Sequence, residues 1–402
     1  MGAYKIRRGQ IEMKILHTVE FYYPSVGGAQ EVVRQLSERL VKLGHDVTVA
    51  TTNLPERKVS THNGVKIIGF DISGRAATGY SGKDIDKYKR LLTEPSFDVV
   101  MNYAAQQWAT DLAFEVLDDI KARKILVPCG FSGLYDPVFK DYFSHMPKVM
   151  KKYDATIYLA EDYRDINFAR EHKLSNIYVV PNGAGADEFG QTYAGDIRKE
   201  LGISADSYFV LLVGGHTGVK GHKETVEIFK KAQLRNATFL INGNDLGGGC
   251  TAWCKKQAKH LRYSLNFKLQ KKRLLVKDLP RPQLVAAYKA ADLFLFPSNI
   301  EASPLVLFEA MASKLPFLTA DVGNTKEIIR WSGGGLLLPT TKDELGFSHV
   351  DIDGSSEMLE AQYKNRSVSK KLGEIGYRVW RKKFTWEIIT KEYESIYRGN
   401  KP

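Results

Sequence analysis

Apolar runs that suit buried strands alternate along this chain with stretches whose apolar residues recur every three or four positions. Lys14–Val19 reads as a buried strand and Glu20–Gly28 as a loop. Gln30–Leu43 then places Val33, Leu36, Leu40 and Leu43 on one helical stripe. Gly44 closes that helix and Val47–Thr52 is the next strand, which completes a βαβ unit. Further strands are predicted at Val65–Phe70, Asp98–Asn102, Lys124–Val127, Ala155–Leu159 and Ile177–Val180. After the polar stretch Gly190–Ser207 the alternation restarts with Tyr208–Val213. Thr238–Ile241, Leu274–Val276, Leu293–Phe296 and Phe317–Thr319 follow as strands, with helices between them. Such alternation predicts an α/β chain of two doubly wound domains with parallel sheets. The expected division is 1–190, rejoined by a C-terminal helix within 385–402, and 191–384. Trp386, Ile389, Tyr393 and Tyr397 form the apolar stripe of that last helix. Residues before Met13 read as an extension outside the fold.

A length of 402 residues fits two such domains. Composition is ordinary for a globular chain, and no apolar run reaches the roughly 20 residues of a membrane-spanning helix. Three cysteines, Cys129, Cys250 and Cys254, are too few for a disulfide framework and point to a reducing, cytoplasmic compartment. Cys250 and Cys254 resemble half of a zinc site, but no second pair stands at ligand spacing, and no metal is expected. The net charge of +12 is uneven. Residues 1–190 hold 25 basic and 24 acidic side chains, whereas 191–402 hold 33 and 22. Lys255–Arg281 alone carries ten basic residues against Asp278. That window reads as a solvated basic face or a contact for an anionic membrane surface, on the cytoplasmic side. Nucleic acid is not expected as a partner, because only Tyr263 and Phe267 could stack on bases there.

Ligands of open α/β sheets bind beyond the carboxyl ends of the strands, and two such domains facing each other would enclose a cleft. Three loops there carry candidate chemistry. Gly27-Gly28, before the first helix, lets a ligand approach the backbone and meet free N–H groups. It is not a dinucleotide fingerprint, since G-x-G-x-x-G is absent and Thr51-Thr52-Asn53 supplies no acid for a ribose. Gly214-Gly215-His216-Thr217-Gly218-Val219-Lys220-Gly221 joins a strand to a helix as a phosphate loop would, with Lys220 as a mobile positive charge. The third runs from Pro297 to Met311. There Ser303 reads as helix cap and Pro304 as first helical residue, so the following N–H groups suit a diphosphate. Glu301 precedes that cap, and Glu309 lies inside the helix among Leu305, Val306, Leu307 and Phe308. A carboxylate in that setting needs a ligand hydroxyl or a partner.

These segments, with VPNGAGADEF at 180–189, AADLFLFPS at 290–298 and EASPLVLFEAMASKLPFLTADVGNTKEII at 301–329, resemble the retaining nucleotide-sugar glycosyltransferases of family four. The resemblance runs over nearly the whole chain, and the Glu-x7-Glu pair carries most of it. It implies a GT-B fold of two Rossmann-like domains facing across a cleft, with the first domain on the acceptor side and the second on the donor side. It implies transfer of a hexose-type sugar from a nucleoside-diphosphate sugar to a glycan, lipid-linked or small-molecule acceptor, without metal or other cofactor. By the same resemblance, Glu301 faces the donor sugar and Glu309 takes the nucleotide ribose. Lys220 stabilises the leaving diphosphate, with backbone N–H groups of Ser303, Pro304's neighbours Leu305 and Val306 beside it. Gly27, Gly28, Gly214 and Gly215 line the donor, and Val276 and Lys277 lie along the base-contacting loop.

Two positions depart from the family pattern. The arginine that accompanies the lysine is Gly215 here, followed by His216, so the diphosphate either lacks one positive charge or takes it from His216. The family's His-Gly pair in the first domain corresponds to Cys129-Gly130, on the acceptor side. A non-catalytic sugar-nucleotide binder of the same fold and a sugar-nucleotide epimerase are the competing readings. Asp84-Ile85-Asp86 and Asp351-Ile352-Asp353 fall in polar stretches and read as solvated surface.

Overall fold

The computed structural model describes residues 12–400, and the predicted extension falls mainly outside them. The described residues form two compact units, 12–181 with 386–400, and 182–385. The break falls at Pro181, ahead of residue 190, because Ala184 and Phe189 are buried in the core of the second unit.

In the first unit the strands are β1 (Lys14–Thr18), β2 (Asp46–Thr52), β3 (Thr61–His62), β4 (Val65–Phe70), β5 (Ser73–Arg75), β6 (Gly79–Ser81), β7 (Val99–Tyr103), β8 (Arg123–Val127), β9 (Ala155–Tyr158) and β10 (Ile177–Val179). Eight form one sheet, ordered β10-β9-β8-β7-β1-β2-β4-β3, while β5 and β6 make a separate hairpin. All pairs in the large sheet are parallel except β3–β4. Strand order reverses at β1, which lies between β2 and β7. Helix Trp386–Tyr397 packs here through the apolar stripe seen in the sequence, with Trp386, Ile389, Tyr393 and Tyr397 buried. Glu387 pairs with Arg39 at 2.9 Å, and the Tyr397 hydroxyl lies 3.0 Å from His17 Nε2.

The second unit holds β11 (Tyr208–Val213), β12 (Ala237–Asn242), β13 (Lys272–Lys277), β14 (Leu293–Phe296), β15 (Phe317–Thr319), β16 (Gly335–Leu337), β17 (Thr340–Lys342) and β18 (Ser348–Val350). The sheet β13-β12-β11-β14-β15-β16 is wholly parallel, with β17–β18 as an antiparallel hairpin outside it. Successive residues of β11 feed opposite cores: Tyr208, Val210 and Leu212 enter one, Phe209 and Leu211 the other. Leu293 and Leu295 of β14 divide from Phe294 and Phe296 in the same way. Burial on both faces is why these strands are continuous apolar runs rather than alternating ones. Order reverses at β11, between β12 and β14.

Candidate functional site

The crevice beyond β11 and β14 is the switch point of the second sheet, the place where open α/β sheets take ligands. The loop after β11, Gly214–Gly221, and the loop after β14, 297–304, both start there. Their backbones touch. A Cβ on Gly221 (φ 71°) would stand 2.1 Å from the Pro297 carbonyl oxygen, so glycine is required by both conformation and space. The Asn299 N–H donates to the Val219 carbonyl at 3.0 Å. This clasp brings Lys220 Nζ to 2.7 Å from Glu301 Oε1, with the Ser298 hydroxyl 2.9 Å from the same oxygen.

The helix after the second loop is Leu305–Ala312. Its cap is Pro304 rather than Ser303, with extended φ/ψ of −71° and 114° and no side-chain cap bond. The Ser303 hydroxyl instead accepts from Asn324 Nδ2 at 3.1 Å, and its carbonyl accepts from Asn182 Nδ2 at 3.0 Å. Asn324 N–H also donates to the Ala302 carbonyl at 3.0 Å. Asn182, from the Pro-Asn-Gly turn, thus fixes the loop that carries Glu301, a role the sequence showed only as a turn signal. First-turn N–H groups of an α-helix have no intrahelical partner, so those at Leu305 and Val306 suit an anion.

Glu309 is buried and partnered. Its Oε1 lies 2.5 Å from Arg281 Nη2, while Arg281 also forks onto Glu188 at 2.6 and 2.8 Å. Burial pushes the Glu309 carboxyl up, and Arg281 and the Tyr288 hydroxyl pull it back. The two carboxylates hold Arg281 firmly protonated against its own burial. Arg281 was legible only as one more charge in the basic window. Val276 is half-buried and Lys277 exposed at the end of β13, beside Asn242, whose side chain accepts from the Leu279 N–H at 2.9 Å.

His216 is fully buried, burial lowers its pKa, and its Nδ1 faces Cys250 Sγ at 3.4 Å. Its ring stacks on His222 at 4.3 Å, whose pKa burial pushes down to about 4. At Gly215 a Cβ would lie 2.8 Å from Leu246 Cδ1 and 3.0 Å from Asn244 Oδ1, so a larger residue would have to displace these neighbours. Gly214 is looser, its nearest neighbour being Lys220 Cβ at 3.3 Å.

In the first unit, Gly27 caps helix Gly28–Lys42 in extended conformation. A Cβ on Gly28 would meet nothing within 4 Å, so packing alone does not call for that glycine. Cys129 and Gly130 follow β8, both left-handed at φ 61° and 99°, and the Gly130 N–H donates to Asp165 at 2.8 Å. The sequence missed a carboxylate pair at this unit's own switch point. Burial raises Glu20, after β1, and lifts Asp111, after β7, to about 6. Asp111 is saturated by the Tyr142 hydroxyl and two backbone N–H groups, whereas Glu20 is only half-buried.

The basic window divides. Lys272 is buried, its Nζ 2.8 Å from the Ala232 carbonyl, and its pKa falls to about 8 through burial. Phe267 lies in the core, which removes it as a stacking surface. Lys255, Lys256, Lys259, Arg262, Lys268 and Lys271 are exposed, as are the large apolar Tyr263, Leu265 and Leu269. Asp84 and Asp351 precede helices, and Asp351 caps its helix by accepting from the Gly354 N–H. No helix among the described residues is long and apolar enough to cross a membrane.

Residues 26–188 match the family described as Glycosyltransferase Family 4, and residues 194–347 match Glycosyl transferases group 1. The chain is 24% identical over 384 residues to N-acetyl-alpha-D-glucosaminyl L-malate synthase of Bacillus anthracis, covering 93% of this chain and 94% of that one. Sucrose-phosphate synthase from Thermosynechococcus elongatus superposes with a TM-score of 0.75 at 18% identity, over 96% of this chain and 99% of that one. Anabaena HepE in complex with UDP and glucose gives 0.72 at 14%, over 96% and 100%. The structural neighbours show a GT-B fold of two Rossmann-like units, and the family matches make the chain a glycosyltransferase. Within that class, the chain belongs to glycosyltransferase family 4.

Proposed function

We propose that the protein moves a hexose-type sugar from a nucleoside-diphosphate sugar to a glycan, lipid-linked or small-molecule acceptor, with retention at the anomeric carbon and without a metal on the diphosphate. The observation that carries this reading is Lys220 against Glu301 at 2.7 Å, beside the open end of helix Leu305–Ala312. The bond between the anomeric carbon and the diphosphate oxygen breaks, and charge grows on that oxygen. Lys220 and the first-turn N–H groups answer it with charge already in place. The acceptor hydroxyl adds to the same face of the sugar, and its proton leaves with the diphosphate. Glu301 faces the sugar, and Lys220 turns from it to the diphosphate when donor binds. Glu309, paired with Arg281, takes the ribose hydroxyls, and the end of β13 at Val276 and Lys277 takes the base. UDP is the first nucleotide to test, in line with the UDP complex of Anabaena HepE and the glucosaminyl product named for the Bacillus anthracis relative.

On the acceptor side we assign Glu20 and the Cys129-Gly130 turn. An anionic membrane surface is the proposed neighbour of Tyr263, Leu265 and Leu269, because exposed apolar side chains in the same segment as exposed Lys255, Lys259, Arg262 and Lys268 suit a negatively charged interface. A Glu301→Gln variant tests the catalytic reading. It should bind UDP as the wild type does and transfer sugar at least about 100-fold more slowly, the scale of a lost transition-state contact. Equal turnover would remove Glu301 from the chemistry. UDP binding without transfer by the wild type would favour the non-catalytic binder.

A further inference from the structure

We propose that His216, His222 and Cys250 bind one thiophilic metal ion, apart from the transfer chemistry. Ligand atoms of all three lie within 4.8 Å of one another. Cys250 Sγ is 3.4 Å from His216 Nδ1 and 3.7 Å from His222 Nδ1. His222 Nε2 lies 3.2 Å from the Gly214 carbonyl, which can accept only from a protonated nitrogen. That bond puts the proton on Nε2 and leaves the Nδ1 lone pair toward the sulfur, the outer-sphere arrangement usual for a ligating histidine. His216 Nε2 is buried and has no hydrogen-bond partner among the described residues. A purely packed imidazole would leave that polar atom uncompensated, whereas tilting the ring onto an ion gives it freedom to find one.

Two imidazoles and a thiolate select borderline or soft ions such as Zn(II), and Co(II) as its spectroscopic substitute, over Mg(II) or Ca(II). Three protein ligands leave the fourth tetrahedral position to water. The imidazoles stack at 4.3 Å with 17° between their planes, so seating the ion requires one ring to turn out of the stack. Binding releases the Cys250 thiol proton to water as the metal–sulfur bond forms. Cys254 stays outside the group: it is fully buried in the hydrophobic core. The ion would tie three segments together: the loop after β11, the start of helix His222–Lys231 and the start of helix Cys250–Tyr263. Their separation in sequence (6 and 28 positions) hid the cluster from a search for paired ligand motifs.

Titration of the full-length, metal-stripped protein with Co(II) tests the site. A thiolate-to-cobalt charge-transfer band should rise to saturation at one ion per chain, and Zn(II) should abolish it. Cys250→Ser should lose the band entirely, and Cys254→Ala, the control for general damage to this helix, should keep it. His222→Ala should weaken binding at least tenfold, with circular dichroism confirming the fold. Absence of the band in the wild type, or its persistence in Cys250→Ser, would overturn the proposal.

Discussion

Lys220 Nζ stands 2.7 Å from Glu301 Oε1, although the two residues are 81 positions apart. The contact exists because Gly221 lets one loop backbone lie directly on the other at Pro297. A lysine held on a carboxylate of low exposure is poised to exchange it for a stronger anion. Lys220→Ala should therefore lower affinity for a nucleoside diphosphate at least tenfold while costing only about 1 kcal/mol of stability, since the pair is partly solvated. Calorimetric binding beside a denaturant titration reads both. Unchanged diphosphate affinity would mean that Lys220 only holds Glu301.

Arg281 and Glu309 form a more deeply set pair, with Glu188 on the far side of the guanidinium. Arg281→Ala leaves Glu309 buried without its cation, and stability should fall by about 3 kcal/mol, the lower end for broken buried pairs because the guanidinium is partly exposed. Arg281→Ala with Glu309→Gln should recover much of that loss. A double variant as unstable as the single one would show that Arg281 acts through Glu188 instead.

Much of this frame is legible in the sequence. Strands buried on both faces are continuous apolar runs, so β11 and β14 stand out, as does the aromatic stripe of Trp386–Tyr397. The Glu301 and Glu309 pair stands out because two carboxylates flank an apolar stretch. Other features lie in pairings that leave no local trace. Asn182 reaches Ser303 across 121 positions, and Arg281 reaches back to Glu188 across 93. Short strands such as β16 and the β17–β18 hairpin have too few residues for a period to appear. Ser303 has the chemistry of a cap, but Asn324 takes its hydroxyl, so Pro304 becomes the boundary.

Burial pushes the His17 imidazole down to about 3, between Ser37 and Tyr397. The unfolded chain then binds a proton at His17 between pH 6.5 and about 3 that the folded chain refuses. Stability contributed there is complete above pH 6.5 and is lost as pH falls, by about 1.4 kcal/mol per unit within the window. Denaturation of wild type and His17→Gln from pH 7 to pH 4 should give a difference that shrinks along that slope. A constant difference would mean that His17 does not titrate on unfolding.

Leu265 and Leu269 are 71% and 74% exposed amid exposed lysines. Leu265→Glu with Leu269→Glu should abolish co-sedimentation with vesicles containing anionic lipid at low salt, while soluble-donor binding stays unchanged. Wild-type protein should not sediment with neutral vesicles, and added salt should weaken its binding. If wild type ignores anionic vesicles at low salt, this face is not a membrane contact.

Donor binding at the switch point of the second unit is tested most directly by thermal denaturation with UDP, GDP and ADP, each with magnesium and with EDTA. A nucleotide at about 100 times its dissociation constant adds about 2.7 kcal/mol, enough to move the midpoint by several degrees. One diphosphate should raise the midpoint by the same increment with and without magnesium, and Lys220→Ala should lose most of that increment. No shift with any nucleotide, or a shift that requires magnesium, would contradict metal-independent capture of the diphosphate by Lys220 and the helix Leu305–Ala312.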